Sequence, residues 1–198
     1  MEIKFHKGRL EAFSDGVIAI IITIMVLEMK VPHEATLNAL IPIIPVFISY
    51  ILSFMYVGIY WNNHHHMFQA VKSVDGRTLW ANLFLLFTLS LIPFSSAWMG
   101  ENHFSQVPVL LYGFVLLINA LAYIILANQL VKIHGKESLL SQAFEKDYKG
   151  KISLFIYIVS IICGFFNEWI SLTLYFLVAA IWLIPDKRIE NRISKEHN

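Results

Sequence analysis

Six apolar segments alternate with short polar breaks along the chain, and each is close to the roughly 20 residues that a helix needs to cross a bilayer. The pattern predicts six helices, over residues 10–28, 37–62, 78–99, 107–131, 150–165 and 168–185. Inside a bilayer every backbone polar group must be bonded internally, so we expect an all-α fold, a bundle of six transmembrane helices. The connections are too short for a soluble domain, so residues 1–198 are predicted to form one six-span membrane domain.

Composition supports this membrane interpretation. Hydrophobic residues make up 57% of the chain and the mean hydropathy is +0.62, more apolar surface than a soluble domain of this size can bury. No short apolar stretch with a cleavage site precedes the first segment, which we interpret as a true span. Cys163 is the single cysteine, which excludes an intrachain disulfide and a zinc–thiolate cluster within one chain. The net charge of +1 gives no indication of nucleic-acid binding.

Charge placement predicts the orientation. If both termini are cytoplasmic, every lysine and arginine except Lys30 falls on the inner side. This distribution follows the positive-inside rule and requires an even number of spans. We therefore expect a multi-pass protein of the cell (inner) membrane. The outer loops carry Glu28, Glu34, Glu101 and Glu168, an acidic bias that suits either a cation entrance or simple tolerance of acids outside.

Polar residues of the first three helices are predicted to meet near the cytoplasmic ends. Asp15 lies about 9 Å along helix one, at 1.5 Å per residue, and a charge at that depth costs a few kcal/mol unless it is satisfied. Helix two runs the opposite way and reaches the same level at the end of its apolar segment, and helix three reaches it near its start. The predicted partners of Ser14 and Asp15 are Trp61, Asn62, a histidine of 64–66 and Asn82, with Arg9 closing the network or extending to lipid headgroups.

Three interpretations of this cluster remain open. The simplest is a polar lock that pins helices one to three together. A second is proton coupling through Asp15 and a histidine, as in secondary transporters. A third is a metal site at His64–His66, but adjacent helical residues point about 100° apart and the i, i+4 spacing of helical zinc motifs is missing. We therefore predict no resident metal and no cofactor.

Helix one also has a smooth aliphatic stripe. At about 100° per residue, Gly16, Thr23, Ile24 and Leu27 all lie within about 60° of Ile20, whereas Asp15 points about 140° away. The pattern predicts a polar anchor directed into the subunit and an apolar face directed elsewhere. That face is compatible with helix packing, lipid contact or the lining of a pore.

Three short motifs carry a family resemblance. Arg9, three residues, then Phe13-Ser14-Asp15 resembles the signature that opens helix one of the lysosomal potassium channel family, transmembrane protein 175. Trp61-Asn62-Asn63-His64-His65 and Leu79-Trp80-Ala-Asn82 are similar to motifs of its prokaryotic members. The six-span layout resembles one repeat of that family, so the resemblance covers essentially the whole chain.

The resemblance implies a potassium-selective channel, not an enzyme, in which helix one lines the pore of a homotetramer. It implies that Ile20 forms the constriction, that Thr23 contributes to selectivity and that Ile24 and Leu27 form further apolar constrictions. Potassium would pass transiently near Ile20 and Thr23. The residues that would lock helices one to three together are Arg9, Phe13, Ser14, Asp15, Trp61, Asn62, His64, His65 and Asn82.

Other classes of membrane protein remain as alternatives. A secondary transporter usually contains paired broken helices, but Pro42, Pro45 and Pro93 do not occupy corresponding positions of two halves. A two-aspartate protease is unsupported because Asp15 is the one aspartate inside a predicted span. A non-conducting scaffold stays open. The expected partners are potassium ions, further copies of the chain and the lipid bilayer, without nucleic acid.

Overall fold

The structure is a computed structural model that describes residues 5–135, 137–138, 140–141, 144 and 147–183. Within these residues, helices dominate and two short strands pair. The elements are β1 (Phe5–His6), α1 (Gly8–Leu27), a 3₁₀ helix (Leu37–Ile43), α2 (Ile44–Gln69), β2 (Ser73–Val74), α3 (Gly76–Leu89), α4 (Ile92–Glu101), α5 (Gln106–His134), α6 (Tyr148–Gly164) and α7 (Glu168–Leu183). The prediction of an all-α protein is confirmed. The predicted end of the last helix at residue 185 lies outside the described residues.

Four segments of the described chain are long and apolar enough to cross a membrane. They are Gly8–Leu27, Leu37–Gln69, Gly76–Glu101 and Gln106–His134. The two remaining helices are shorter, with 17 residues in α6 and 16 in α7. The elements with the bounds given above therefore form a bundle of six helical segments, with α3 and α4 together making the third.

The third segment is broken, which corrects the prediction of one continuous helix over 78–99. α3 ends at Leu89 and α4 begins at Ile92 with Pro93 in its first turn. Proline lacks the N–H that would bond to the carbonyl four residues earlier, and its ring clashes with that carbonyl, so the helix cannot run through this point.

The second segment also differs from its predicted bounds of 37–62. Residues Leu37–Ile43, with Pro42 inside, form a 3₁₀ helix before α2 begins. At the other end, α2 continues through the histidine triplet to Gln69. Polar residues end the apolar pattern at Asn62, but they do not end the helix, because their side chains bond within the bundle or extend beyond it.

α1 has two chemically distinct faces. Its buried residues are Leu10, Ser14, Ile18, Ile21 and Met25, which recur every three or four positions and form one stripe along the helix. This stripe packs into a core shared with α2, α3 and α5. The opposite half of α1 is exposed in the single chain, so α1 lies at the edge of the bundle.

A second core joins α2, α4, α5, α6 and α7, and hydroxyl groups cross it. Ser53 donates to Ser96 over 2.8 Å, and Ser96 donates to the Ser49 carbonyl over 3.0 Å. Since Ser53 has spent its proton, the Tyr112 hydroxyl donates to Ser53 over 2.9 Å. Each of these three hydroxyl groups therefore donates a hydrogen bond, as burial in an apolar core requires.

The strands tie the start of α1 to the connection after α2. Phe5 pairs with Val74 and His6 with Ser73, in antiparallel register. Asp75 then caps α3, accepting hydrogen bonds from the Thr78 backbone N–H at 2.8 Å and the Thr78 hydroxyl at 2.6 Å. Both ends of the α2–α3 connection are thus fixed directly beneath the cluster described next.

Candidate functional site on the first helix

A buried chain of hydrogen bonds connects α1, α3 and α2. Asn82 Nδ2 donates to Ser14 Oγ over 2.9 Å, and Ser14 Oγ donates to the Leu10 carbonyl over 2.8 Å. His64 Nε2 lies 2.8 Å from Asn82 Oδ1. Ser14, His64 and Asn82 are each at most 1% exposed. The structure thus brings together three of the predicted residues, one from each of the first three helices.

All three hydrogen bonds of this series run in the same direction. The Leu10 carbonyl only accepts, so the Ser14 hydroxyl donates to it and accepts from the Asn82 amide NH₂. The Asn82 oxygen then faces His64, so His64 Nε2 carries a proton and donates. Each member donates to the next and the chain ends on a backbone oxygen. A network satisfied in this way stabilises one arrangement of the three helices.

Asp15 belongs to a separate pair. Trp61 Nε1 donates to Asp15 Oδ1 over 3.0 Å, and the His65 ring stacks on Trp61 with centroids 5.9 Å apart. His65 Nε2 lies 2.8 Å from Gln69 Nε2. Asp15 and Trp61 are both exposed in the single chain. The aspartate therefore bonds the tryptophan of α2, and the buried histidine, His64, bonds Asn82 instead.

Arg9 and Asn62 do not join either group. Both are exposed, and within the described part of the chain neither makes a side-chain hydrogen bond to the cluster. The α1 basic residue that does contact α2 is its N-cap residue, Lys7, whose ammonium donates to the Phe68 carbonyl. Nothing in the spacing of the motif pointed to this contact.

Phe13 also stays outside the cluster. Its side chain is 54% exposed, because Phe13 precedes Ile20 by seven residues and therefore lies only about 20° from it around the helix. Phe13 thus extends the aliphatic stripe toward the start of α1. Among the residues that the structure describes, no group of three or more His, Cys, Asp or Glu side chains is placed to hold a metal ion.

The aliphatic stripe of α1 is exposed. Ile20 is 57% exposed, Ile24 41% and Leu27 79%, whereas Ile18 on the packed side is 1% exposed. Beside the stripe, a groove of about 560 Å³ separates α1 from α4 and ends at Glu28 and Glu101. Glu101 pairs there with Lys30 over 2.8 Å, and this bond raises the pKa of Lys30.

Thr23 presents hydrogen-bond acceptors outward. Its hydroxyl donates to the Ile20 carbonyl over 2.9 Å. A hydroxyl has one proton and two lone pairs, so the lone pairs are left for whatever lies outside the helix. Thr23 itself is exposed. A cation passing this face would meet oxygen lone pairs directly beside the isoleucine stripe.

Comparison with known proteins places this arrangement in a family. Residues 9–93, which contain α1 and the whole polar cluster, match the family model described as endosomal/lysosomal potassium channel TMEM175. A protein of Chryseobacterium sp. (strain P1-3), named as a potassium channel, is 55% identical over 96% of this chain and 98% of its own length. The chain belongs to the TMEM175 family.

A solved TMEM175 structure shares the fold. The crystal structure of a lysosomal potassium-selective channel TMEM175 homolog from Chamaesiphon minutus has a TM-score of 0.78 and 28% identity. The alignment covers 90% of this chain and 96% of that one. A shorter match, 38% identical over 31% of this chain and 15% of the relative, is to the endosomal/lysosomal proton channel TMEM175 of Gallus gallus.

Proposed function

We propose that this protein is a potassium-selective ion channel whose pore is lined by α1 in a homotetramer. The observation that carries the proposal is the unpaired stripe of Ile20, Ile24 and Leu27 on a helix whose other face is fully packed. Relatives named as potassium channels support the transported ion. One α1 cannot enclose a pore, so copies of the chain must bring their stripes together around an axis.

A ring of aliphatic side chains would select between potassium and sodium through the cost of removing water from each ion. The sequence contains no Thr-Val-Gly-Tyr-Gly segment, so carbonyl coordination of the usual kind is not expected. Ile20 offers no ligand, and an ion passing a ring of four isoleucines sheds part of its hydration shell. Potassium holds water less tightly than sodium and loses less. The Thr23 lone pairs then stabilise the partly hydrated ion, and slight narrowing closes the ring by dewetting.

The polar cluster positions the pore helix. The chain from His64 through Asn82 to Ser14 fixes the rotation of α1 against α2 and α3, and the Asp15–Trp61 pair fixes it from the adjacent side. Rotation of α1 by one residue, about 100°, would replace Ile20 in the stripe by a neighbour. The cluster thus sets which side chains face the axis.

The proposed placement is a multi-pass protein of the cell membrane with both termini in the cytoplasm. The cationic loops then lie inside and Lys30 outside. In this orientation α1 enters from the cytoplasm at its polar end, and the stripe continues outward to Leu27. The whole chain acts as one six-span domain without enzymatic activity or cofactor.

Replacement of Ile20 tests the pore. In liposomes with opposed potassium and sodium gradients, Ile20→Asn should raise sodium entry and shift the reversal potential toward zero, because an amide replaces part of the lost hydration. Ile125→Asn, on an exposed part of α5 (44% exposed), is the matched control. Selectivity and conductance equal to wild type in a folded Ile20→Asn oligomer would remove Ile20 from the pore.

The second candidate is a proton pathway, either a proton-coupled transporter or a leak through Asp15 and His64–His66. This candidate is supported by the TMEM175 relative from Gallus gallus, which is named as a proton channel. The structure favours the lock, since Asp15 and His64 lie in separate hydrogen-bonded groups. A channel dissipates a potassium gradient without a coupled ion, whereas a transporter saturates and acidifies or alkalises the lumen as potassium moves.

A further inference from the structure

A second groove runs along the outside of the bundle between α2 and α7, away from the α1 stripe. Its volume is about 260 Å³, and it lies at the end of the bundle where α2 passes Trp61. The lining residues are Phe54, Met55, Gly58, Ile59, Asn62, Asn63, Trp182 and Leu183. The proposed channel mechanism uses none of them, because Asn62, the one predicted site residue among them, lies outside the polar cluster.

The deep part of the groove is open and apolar. A Cβ added at Gly58 would meet no heavy atom within 4 Å, so the absence of a side chain there leaves open space along the helix surface. Phe54 and Ile59 line this part, and Phe54 is 44% exposed. The apolar lining and the open space over Gly58 suit a hydrocarbon chain.

The shallow end of the groove is polar. Asn63 Nδ2 donates to the Ile59 carbonyl over 2.8 Å. Asn62 is exposed and, within the described residues, its amide has no hydrogen-bond partner. Trp182 closes this end, held by the bond from its Nε1 to Ser153 Oγ at 2.8 Å. Tryptophan at this level is typical of the membrane–water interface.

Positive charge adjoins the polar end. Lys149 Nζ lies 5.8 Å from the Trp182 ring centroid and 3.4 Å from the Ile181 carbonyl, and Lys151 follows on the exposed side of α6. The carboxylate of Asp147 accepts a bond from the Gly150 N–H over 3.0 Å at the start of α6, so two lysines stand against one acidic residue here. Basic pockets between helices at the cytoplasmic surface bind anionic lipid headgroups.

We infer that this groove binds a glycerophospholipid with an anionic headgroup. One acyl chain lies over Gly58 beside Phe54 and Ile59, and the phosphate is bound by the Asn62 amide and the Lys149 ammonium. The gradient from apolar depth to a cationic rim matches an amphiphile rather than a protein segment. The inference rests on the membrane placement proposed above, in which this end of the bundle faces the cytoplasm.

Retention of lipid by the full-length protein tests the site. After mixing with equal amounts of phosphatidylglycerol and phosphatidylcholine in mild detergent, native mass spectrometry should show preferential retention of phosphatidylglycerol. Gly58→Leu fills the slot and should abolish that preference, whereas Gly58→Ala leaves space and should keep it. Lys149→Gln should weaken phosphatidylglycerol binding about fivefold, and Lys132→Gln, in the last turn of α5, should not.

Three results would overturn the inference: equal retention of the two lipids by wild type, unchanged preference in folded Gly58→Leu, or cross-linking of Gly58→Cys to a second copy. If Gly58→Leu fails to fold, Asn62→Ala and Lys149→Gln decide, and an unchanged preference in both rejects the site. Potassium flux is measured on the same samples. Lipid preference without flux would reject the channel and keep the lipid site, and flux without preference would do the reverse.

Discussion

At the scale of single residues, Asn82 has a role that few side chains can fill. Its amide NH₂ donates to Ser14 while its oxygen accepts from His64, so both ends of one small group are used in opposite senses. Aspartate lacks the donor, and leucine lacks both functions. The direction of the three hydrogen bonds follows from the last acceptor, the Leu10 carbonyl, which cannot donate.

Replacement of Asn82 should therefore cost stability. We expect Asn82→Leu to lower the free energy of unfolding by about 1–3 kcal/mol, because buried groups of Ser14 and His64 lose their partners. Thermal unfolding in detergent, followed by size-exclusion chromatography, measures the change. Asn128→Leu, at an exposed position of α5, is the control, and equal melting temperatures for both variants would contradict the lock.

Asp75 gives a prediction with a pH dependence. Burial alone would raise the pKa of Asp75, but the hydrogen bonds from Thr78 outweigh it and hold the pKa below its ordinary value of 3.8. A lowered pKa stabilises the folded state above pH 3.8, and this contribution is lost as the pH falls through the folded-state value. Asp75→Ala should cost about 1 kcal/mol at neutral pH, and its melting temperature should converge with that of wild type in acid.

At the scale of elements, the lengths of the apolar segments predicted six spans. The depths of Ser14 and Asn82 along their helices predicted that these two residues meet. The break between α3 and α4 was missed, although Pro93 was visible, since proline inside an apolar span kinks some helices and ends others. The partner of Asp15 was not fixed by depth either. Trp61 and His64 lie at nearly the same level, and only the rotation of α2 decides which of them faces Asp15.

Close packing of α2 against α4 gives a test at this scale. A Cβ at Gly100 would lie 2.6 Å from Val46 Cα and 2.5 Å from Ser49 Oγ, and backbone cannot move aside cheaply. We expect Gly100→Ala to destabilise the protein by about 1–3 kcal/mol through overpacking. Gly58→Ala, with open space around it, should be neutral or stabilising, and the same measured loss at both positions would refute the close approach.

At the scale of the whole molecule, the single chain leaves one half of α1 without a partner. In the proposed homotetramer each copy would use the same contact with its neighbour, so four identical stripes would converge on one axis. The sequence could indicate the stripe but not what covers it, because lipid, another helix and water around a pore favour similar aliphatic residues. The sequence therefore does not identify the surface through which copies of the chain assemble.

Cysteine substitution distinguishes these environments. In a Cys163→Ser background, Ile24→Cys should make potassium flux sensitive to Cd²⁺, because thiolates from several copies around an axis bind a soft metal. Ile18→Cys, whose position is 1% exposed in the core, should remain insensitive. Flux in proteoliposomes is the measurement, and Cd²⁺ insensitivity of both variants would place the stripe away from water.

The hydrogen-bonded chain also bears on biogenesis. Asp15 precedes its tryptophan partner by 46 residues and Ser14 precedes Asn82 by 68, so the opening helix leaves the ribosome with its carboxylate unpaired and with Ser14 bonded only to the Leu10 carbonyl of the same helix. Asp15 gains its partner once the second helix has been translated, and Ser14 gains the bond from Asn82 once the third has been. We therefore expect the opening helix to stay beside the insertion machinery until the second and third helices have been translated.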